Sequence, residues 1–201
     1  MNSDHDMERV VVLTPAGIGV EARDRVHRTG MSHMCAHLLC TNHDKIYLQR
    51  RKKNRHRNPD CWTSTVSGHI TLADAKVNGQ VSADEEAGRH ALAHEVLEEL
   101  GYGLPLSDAQ FLGTVAAPSM GGGEICNCTA LIFTLNYDRL IERVCTAEVE
   151  ELASFPVSEV EMAVRLHGAL VGNDERTHQL ADNFAPVFNC FLAFWQTHGR
   201  G

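Results

Sequence analysis

HALAHEVLEELGYG, residues 90–103, sets Glu95, Glu98 and Glu99 on a segment with helical spacing. At 100° per residue the three carboxylates fall within about 100° of arc, on one face. Each like-charge pair three or four residues apart costs roughly 0.2–0.5 kcal/mol on an exposed helix, so such a face is either solvated or compensated by something bound to it. Ser82 followed by Glu85 fits a capping box, which predicts a helix from about Ala83 to Leu100. Gly101 stands where a left-handed C-terminal residue ends a helix. Ala93, Val96, Leu97 and Leu100 form the expected apolar stripe, opposite the carboxylates.

The segments on either side alternate between strand and helix. RVVVLTP and GIGVEARDRV read as short strands around a turn, in an N-terminal extension spanning about 8–30. HMCAHLLCT and NHDKIYLQRR form a hairpin turning at Asn42–Asp44, followed by the basic loop KKNRHRNPDC and the short strand WTSTVSGHI. AQFLGTVAAP and EICNCTALIFTLNY are strands separated by SMGGG. EVEELASFPVSEVEMAVRLHG passes from strand to helix, and NFAPVFNCFLAFWQTH is a final apolar helix, so C-terminal helices occupy about 157–198. Strands and helices interleave without a regular repeat, which predicts an α/β mixed sheet with helices on both faces.

At 201 residues the chain suits one domain with decorations, and 43% apolar residues suffice for a core. A formal charge of −8 argues against a nucleic-acid polymer or a membrane surface as partner. No segment approaches the roughly 20 apolar residues of a membrane span, and the N-terminus has no basic region leading into a long apolar stretch. The expectation is a soluble, cytoplasmic protein whose seven cysteines are reduced thiols. Cys126 and Cys128 share a strand face, either as a metal pair or as small buried side chains. Oligomeric state is not written in the sequence, which is compatible with a homodimer.

Glu86, followed after seven residues by His94-Glu95-Val96-Leu97-Glu98-Glu99-Leu100-Gly101-Tyr102, resembles the second half of the Nudix box, G-x5-E-x7-R-E-U-x-E-E-x-G-U, with U a bulky aliphatic. VHRTGMSHMCAHLL, IYLQRR, CWTSTVSGHI, EVEELASFPVSEV and NFAPVF follow in the order seen in the branch of that superfamily containing isopentenyl diphosphate isomerase and similar hydrolases. The resemblance covers roughly residues 8–190. It implies one Nudix domain over 1–201, a mixed-sheet α/β/α sandwich with the box at about 68–102. It also implies bound Mg²⁺ or Mn²⁺, for which carboxylates are suitable hard ligands.

By the same resemblance, Glu95, Glu98, Glu99 and the Gly68 carbonyl would hold metal, with Glu98 and Glu99 catalytic. Arg51 and Arg55 would grip the diphosphate. His27, His33 and His69 match a second metal site of the isomerase, and Glu148 and Glu151 match an acidic segment that supplies a base in some Nudix enzymes. Seventeen residues separate Gly68 from Glu86 where the box has five, an insertion of twelve around 70–82; Gly79 is the alternative box glycine, one residue out of register. His94 stands at the box arginine, which pairs with the first glutamate. Ser67 occupies the place of the isomerase cysteine, and a hydroxyl is a far weaker acid than a thiol.

The resemblance implies a metal-dependent hydrolase that splits a phosphoanhydride in a small-molecule diphosphate. The other readings are isopentenyl diphosphate isomerase and a catalytically silent Nudix module that binds a phosphorylated ligand.

Overall fold

The computed structural model describes residues 8–77, 80–121, 124–140 and 146–198. Gly79 and Cys145 lie outside the described residues. Strands β1 (Arg9–Thr14) and β2 (Gly17–Ala22) form an antiparallel hairpin, with Arg9 opposite Ala22. The rest of the N-terminal extension is not strand: Arg23–Thr29 is helix α1. Its first turn is fixed by a 2.9 Å ion pair from Arg25 to Glu21, and Gly30 at φ 66° ends it.

Strands β3 (Ser32–Asn42) and β4 (Lys45–Arg51) are the expected hairpin. Its turn is made at His43, with φ 52°. The basic loop turns at Asn58 and Asp60, both at positive φ, around Pro59. WTSTVSGHI is not one strand but two, β5 (Trp62–Thr63) on β4 and β6 (Val66–His69) on β3. The insertion folds into helix α2 (Leu72–Ala75), capped by Thr71 and Asp74, and the hairpin β7 (Lys76–Val77) and β8 (Gln80–Val81).

Helix α3 spans Glu85–Leu100, and Gly101 closes it at φ 79° as expected. Its N-cap is Asp84 rather than Ser82: the Asp84 carboxylate accepts from the Ala87 amide at 3.2 Å, and the Ser82 hydroxyl donates to Asp84 at 2.6 Å. The apolar stripe is also rotated from the one predicted. Ala87, Ala91, Leu92, Val96 and Leu100 are buried, Leu97 is 57% exposed and Ala93 faces solvent.

Strands β9 (Gln110–Ala116), β10 (Ser119–Gly121) and β11 (Glu124–Asn136) follow, then β12 (Val149–Pro156) running into helix α4 (Val157–Arg165). A hairpin absent from the sequence reading, β13 (Ala169–Val171) and β14 (Thr177–Gln179), precedes helix α5 (Phe184–His198).

The sheet is mixed. β11 runs parallel to β3, from Asn127 opposite Ser32 to Asn136 opposite Thr41, while the other pairings are antiparallel. Alternation along β3 and β11 sends side chains to two separate cores. Leu38, Leu131 and Phe133 join α3 on one face. Leu39 and Ile132 join α4 and α5 on the other, with Val160, Phe184 and Phe188. The result is an α/β/α sandwich. Gly88 lets α3 approach the sheet closely, since a Cβ there would come within 2.9 Å of Leu131 and Phe133. Among the described residues no helix is long and apolar enough to cross a membrane.

Candidate active site

Helix α3 turns two of its three clustered glutamates inward, beneath the end of β6. The Ser67 amide donates to Glu99 at 2.9 Å, and Glu99 is 1% exposed. The Glu95 carboxyl lies against Gly68 so closely that a Cβ at position 68 would overlap it. Burial pushes the Glu95 carboxyl well above the ordinary range, with Glu99 and then Glu98 adding repulsion. Glu99 is also raised, chiefly by burial, against the pull of Gln49, the Ser67 amide and Arg51. Two carboxyls one helical turn apart, desolvated and repelling one another, are a donor set that a hard divalent cation would fit, since its charge would offset the repulsion and it prefers oxygen ligands.

Glu98 is not part of this pair. It projects to solvent and does not line the cavity. Its offset of 60° from Glu95, away from Glu99, carries it around the helix to the exposed side. Glu86 also stays out of the site, exposed in the first turn of α3, because α2 and the β7–β8 hairpin come between β6 and that turn. His94 contacts Asp74 of α2 at 2.8 Å. The inserted segment thus supplies the acidic neighbour that the resemblance assigned to Glu86.

The acid pair opens into a cavity of about 490 Å³. Arg51 and Arg55 line it beside Glu148, with Arg55 and Glu148 paired at 2.7 Å. Arg57 lines it too, bonded to Glu124 at 2.9 Å. Burial lowers the Arg51 pKa, and Glu99 opposes that. Glu151 is not in the cavity. It lies on β12 beyond a bulge at Val149–Glu151, where Arg50 holds it at 2.8 Å. Arg50 also contacts Asp60 at 2.6 Å and Asp174 at 3.5 Å, and His178 lies 3.4 Å from Asp60 and 3.0 Å from Asp174. This buried network ties the basic loop to the β13–β14 hairpin.

The three predicted histidines converge, and Cys126, which the sequence left open between metal ligand and small buried side chain, joins them. Single ligand atoms of His27, His33, His69 and Cys126 all lie within 4.8 Å of one another. The Nε2 atoms of His27 and His69 are 3.1 Å apart, and Cys126 Sγ is 3.3 Å from His33 Nε2. His33 Nδ1 lies 2.9 Å from the Met31 carbonyl. A carbonyl can only accept, so that nitrogen carries the proton and Nε2 turns its lone pair to the cluster. Burial lowers the pKa of all three imidazoles, that of His27 to about 3, with Arg57 and Arg23 adding positive charge nearby. Neutral imidazoles and a thiol suit a borderline cation such as Zn²⁺. The alternate spacing of Cys126 and Cys128 was the available signal for the fourth ligand.

Cys128 itself corrects the expectation of reduced thiols, because it forms a disulfide with Cys35. The parallel register sets Cys128 opposite His33, so Cys35, two residues along β3, is its diagonal neighbour with Cα atoms 6.3 Å apart.

No family model matches the sequence, and no curated protein does. Solved structures do match. DR0079 from Deinococcus radiodurans superposes with a TM-score of 0.60 at 10% identity, over 90% of this chain and 98% of that one. The NUDIX domain of Shewanella oneidensis NrtR, crystallised with ADP ribose, superposes with a TM-score of 0.51 at 14% identity, over 80% of this chain and 86% of that one. At these identities the likeness shows a shared fold, the Nudix fold.

Proposed function

We propose that this chain, which has the Nudix fold, is a divalent-metal-dependent hydrolase that cleaves a phosphoanhydride in a small-molecule diphosphate, acting as one domain. The observation that carries the reading is the Glu95–Glu99 pair under Gly68, Glu99 buried and Glu95 half-buried, open to a cavity that arginines line. The NrtR domain was crystallised with ADP ribose, a compound that contains such a linkage.

Glu95, Glu99 and the Gly68 carbonyl would hold Mg²⁺ or Mn²⁺. The ion supplies neutralisation of phosphate oxygens and a lowered pKa for a water molecule. Arg51 and Arg55 bind the diphosphate through charge-assisted hydrogen bonds. Glu148, held by Arg55 at 2.7 Å, stands in the same cavity as a carboxylate able to take a proton from water. Glu98, on the solvent side of α3 and outside the cavity, would act on the site through its charge, which adds to the raising of the Glu95 carboxyl. His27, His33 and His69, with Cys126, would hold a second, softer cation.

A second reading, double-bond isomerisation of isopentenyl diphosphate, is favoured by the convergence of the three histidines. Ser67 at the position of the isomerase thiol speaks against it. A catalytically silent binding module is the third. A panel of diphosphates incubated with Mg²⁺ or Mn²⁺ separates them. Release of phosphate or a monophosphate, abolished in Glu99→Gln and weakened in Glu98→Gln, supports hydrolysis. Formation of dimethylallyl diphosphate, lost in Ser67→Ala, overturns it in favour of isomerisation. Ligand binding without turnover that survives Glu95→Gln and Glu99→Gln leaves the binding module.

A further inference from the structure

We infer that the substrate is a compact hydroxylated compound phosphorylated at both ends, a sugar carrying a diphosphate and a separate phosphate, rather than a nucleotide or a prenyl diphosphate; the inference rests on the hydrolase reading above. Among the described residues, the cavity lining contains no leucine, isoleucine, valine, methionine, phenylalanine, tyrosine or tryptophan. A prenyl chain would gain about 0.8 kcal/mol for each CH₂ buried against apolar side chains, and this lining offers it little beyond Ala147, Ala181, Cys35 and Cys126. A nucleobase gains about 1–3 kcal/mol from stacking on an aromatic face. The rings reaching this cavity are imidazoles engaged elsewhere. His27 faces His69 at 3.1 Å, His37 is bonded to Ser64 at 2.9 Å, and His56 lies 3.7 Å from Glu124.

What the cavity does offer is hydrogen bonding and four guanidiniums, set among the carboxylates of Asp24, Glu124 and Glu148 as well as the acid pair. Ser67, Ser119, Asn54 and Asn183 line it with hydroxyls and amides suited to sugar hydroxyls. The guanidiniums fall into two groups. Arg51 and Arg55 gather beside Glu99 and Glu148, at the acid pair. Arg57 and Arg23 gather beside the histidine cluster, where Arg57 is also bonded to Glu124 and Arg23 lies 3.4 Å from Glu8, so that a phosphate there would compete with or add to those carboxylates. A substrate with anions at two ends satisfies both groups, and a cavity of about 490 Å³ sits in the lower half of the usual range of about 300–1,000 Å³ for small-molecule pockets. The diphosphate end meets Arg51, Arg55 and the acid pair, and the lone phosphate meets Arg57 and Arg23.

The chemistry balances without a further reactant. The oxygen of one water bonds to the terminal phosphorus as the bridging P–O bond breaks. The sugar keeps a phosphate monoester, orthophosphate leaves with one proton of the water, and the other proton passes to a site carboxylate. The second phosphate ester is untouched.

The test measures initial rates of the full chain with Mg²⁺ or Mn²⁺ on 5-phosphoribosyl 1-diphosphate, ADP-ribose and isopentenyl diphosphate. The expected kcat/KM for the phosphosugar diphosphate exceeds the other two by about tenfold or more, the worth of one extra charge-assisted contact. Arg57→Gln, and separately Arg23→Gln, checked for an unchanged melting profile, should raise its KM by about tenfold while the KM of one-ended isopentenyl diphosphate stays level. Equal or faster turnover of ADP-ribose or isopentenyl diphosphate overturns the substrate class and leaves the hydrolase standing. Absence of turnover throughout overturns the hydrolase. Calorimetric titration of the same three compounds with Ca²⁺ then decides the class by itself: it survives if the phosphosugar binds tightest and falls if it does not.

Discussion

Gly68→Ala separates the packing of the acid pair from its use. A Cβ at this position overlaps the Glu95 carboxyl, while the backbone of Gly68 is not in the left-handed region, so alanine itself is accommodated. The conflict is therefore with a flexible side chain from its Cγ outward, and not with backbone. Glu95 is half-buried and has a solvent side to rotate toward, and rotation also relieves its repulsion with Glu99. The metal-free variant should lie within about 1 kcal/mol of the parent, or about 2–4 °C for a domain of this size. With the carboxyl displaced, the cation loses a ligand. Parent protein at about 100 times Kd in Mn²⁺ gains about 2.7 kcal/mol, which raises its melting temperature by about 5–11 °C. The variant should gain less than about 2 °C at the same concentration. Differential scanning calorimetry with and without MnCl₂ reads both numbers. A full metal shift in Gly68→Ala refutes the assignment of Glu95 as ligand. A metal-free loss above about 10 °C refutes the claim that the side chain can swing away.

Three further outcomes follow from other parts of the molecule. Arg50→Met leaves the Glu151 carboxylate, whose side chain is 7% exposed, without its cation; urea denaturation should show a loss of about 3–5 kcal/mol, much of it recovered in Arg50→Met/Glu151→Met. Reducing the Cys35–Cys128 disulfide, which links residues 93 apart, should lower stability by about 2–4 kcal/mol, and the Cys35→Ser/Cys128→Ser double variant should melt at the same temperature with or without reductant. Burial lowers the His37 pKa from 6.5 to about 4, with Arg51 adding to it. A depressed imidazole pKa means the unfolded chain binds the proton more readily, so this contribution is present above pH 6.5 and is lost as pH falls toward 4. It amounts to about 3 kcal/mol, and His37→Gln should flatten the stability profile in that window; an unchanged acid slope would count against the burial argument.

Local chemistry made most of the fold legible. The turn at Asn42–Asp44 after HMCAHLLCT and the long apolar run NFAPVFNCFLAFWQTH gave the right elements, and Gly101 ended α3 where its lack of a Cβ said it would. The errors share a cause. Ser82 satisfies a capping box on paper, but Asp84 two residues later is the stronger acceptor and takes the cap. RDRVHRT follows a strand without a turn residue, so it read as more strand, whereas it is a helix that buries Val26 and His27 and ends at Gly30. Leu97 completes a plausible apolar stripe, yet the sheet contacts α3 through Gly88 and Leu92, which rotates that stripe and turns Glu99 into the core.

The same rotation governs how much of the site could be read. Three clustered glutamates look equivalent in sequence; packing against β6 makes Glu99 buried, Glu95 half-buried and Glu98 exposed, so equivalence ends where tertiary contact begins. The cysteines show a longer-range version of this. Cys35 and Cys128 pair, and Cys126 meets His33, only because β11 lies parallel to β3 in one register. A slip of one residue would send Cys126 and Cys128 to the opposite face and dissolve both contacts. That register is imposed by the alternation of Leu38 and Leu39 against Leu131 and Ile132 between two cores, each position committed to one face. The chemistry at the cavity end of these strands therefore depends on aliphatic packing at the other end. Polar substitution of Leu39 or Ile132 should disturb the histidine–cysteine cluster without touching any of its members.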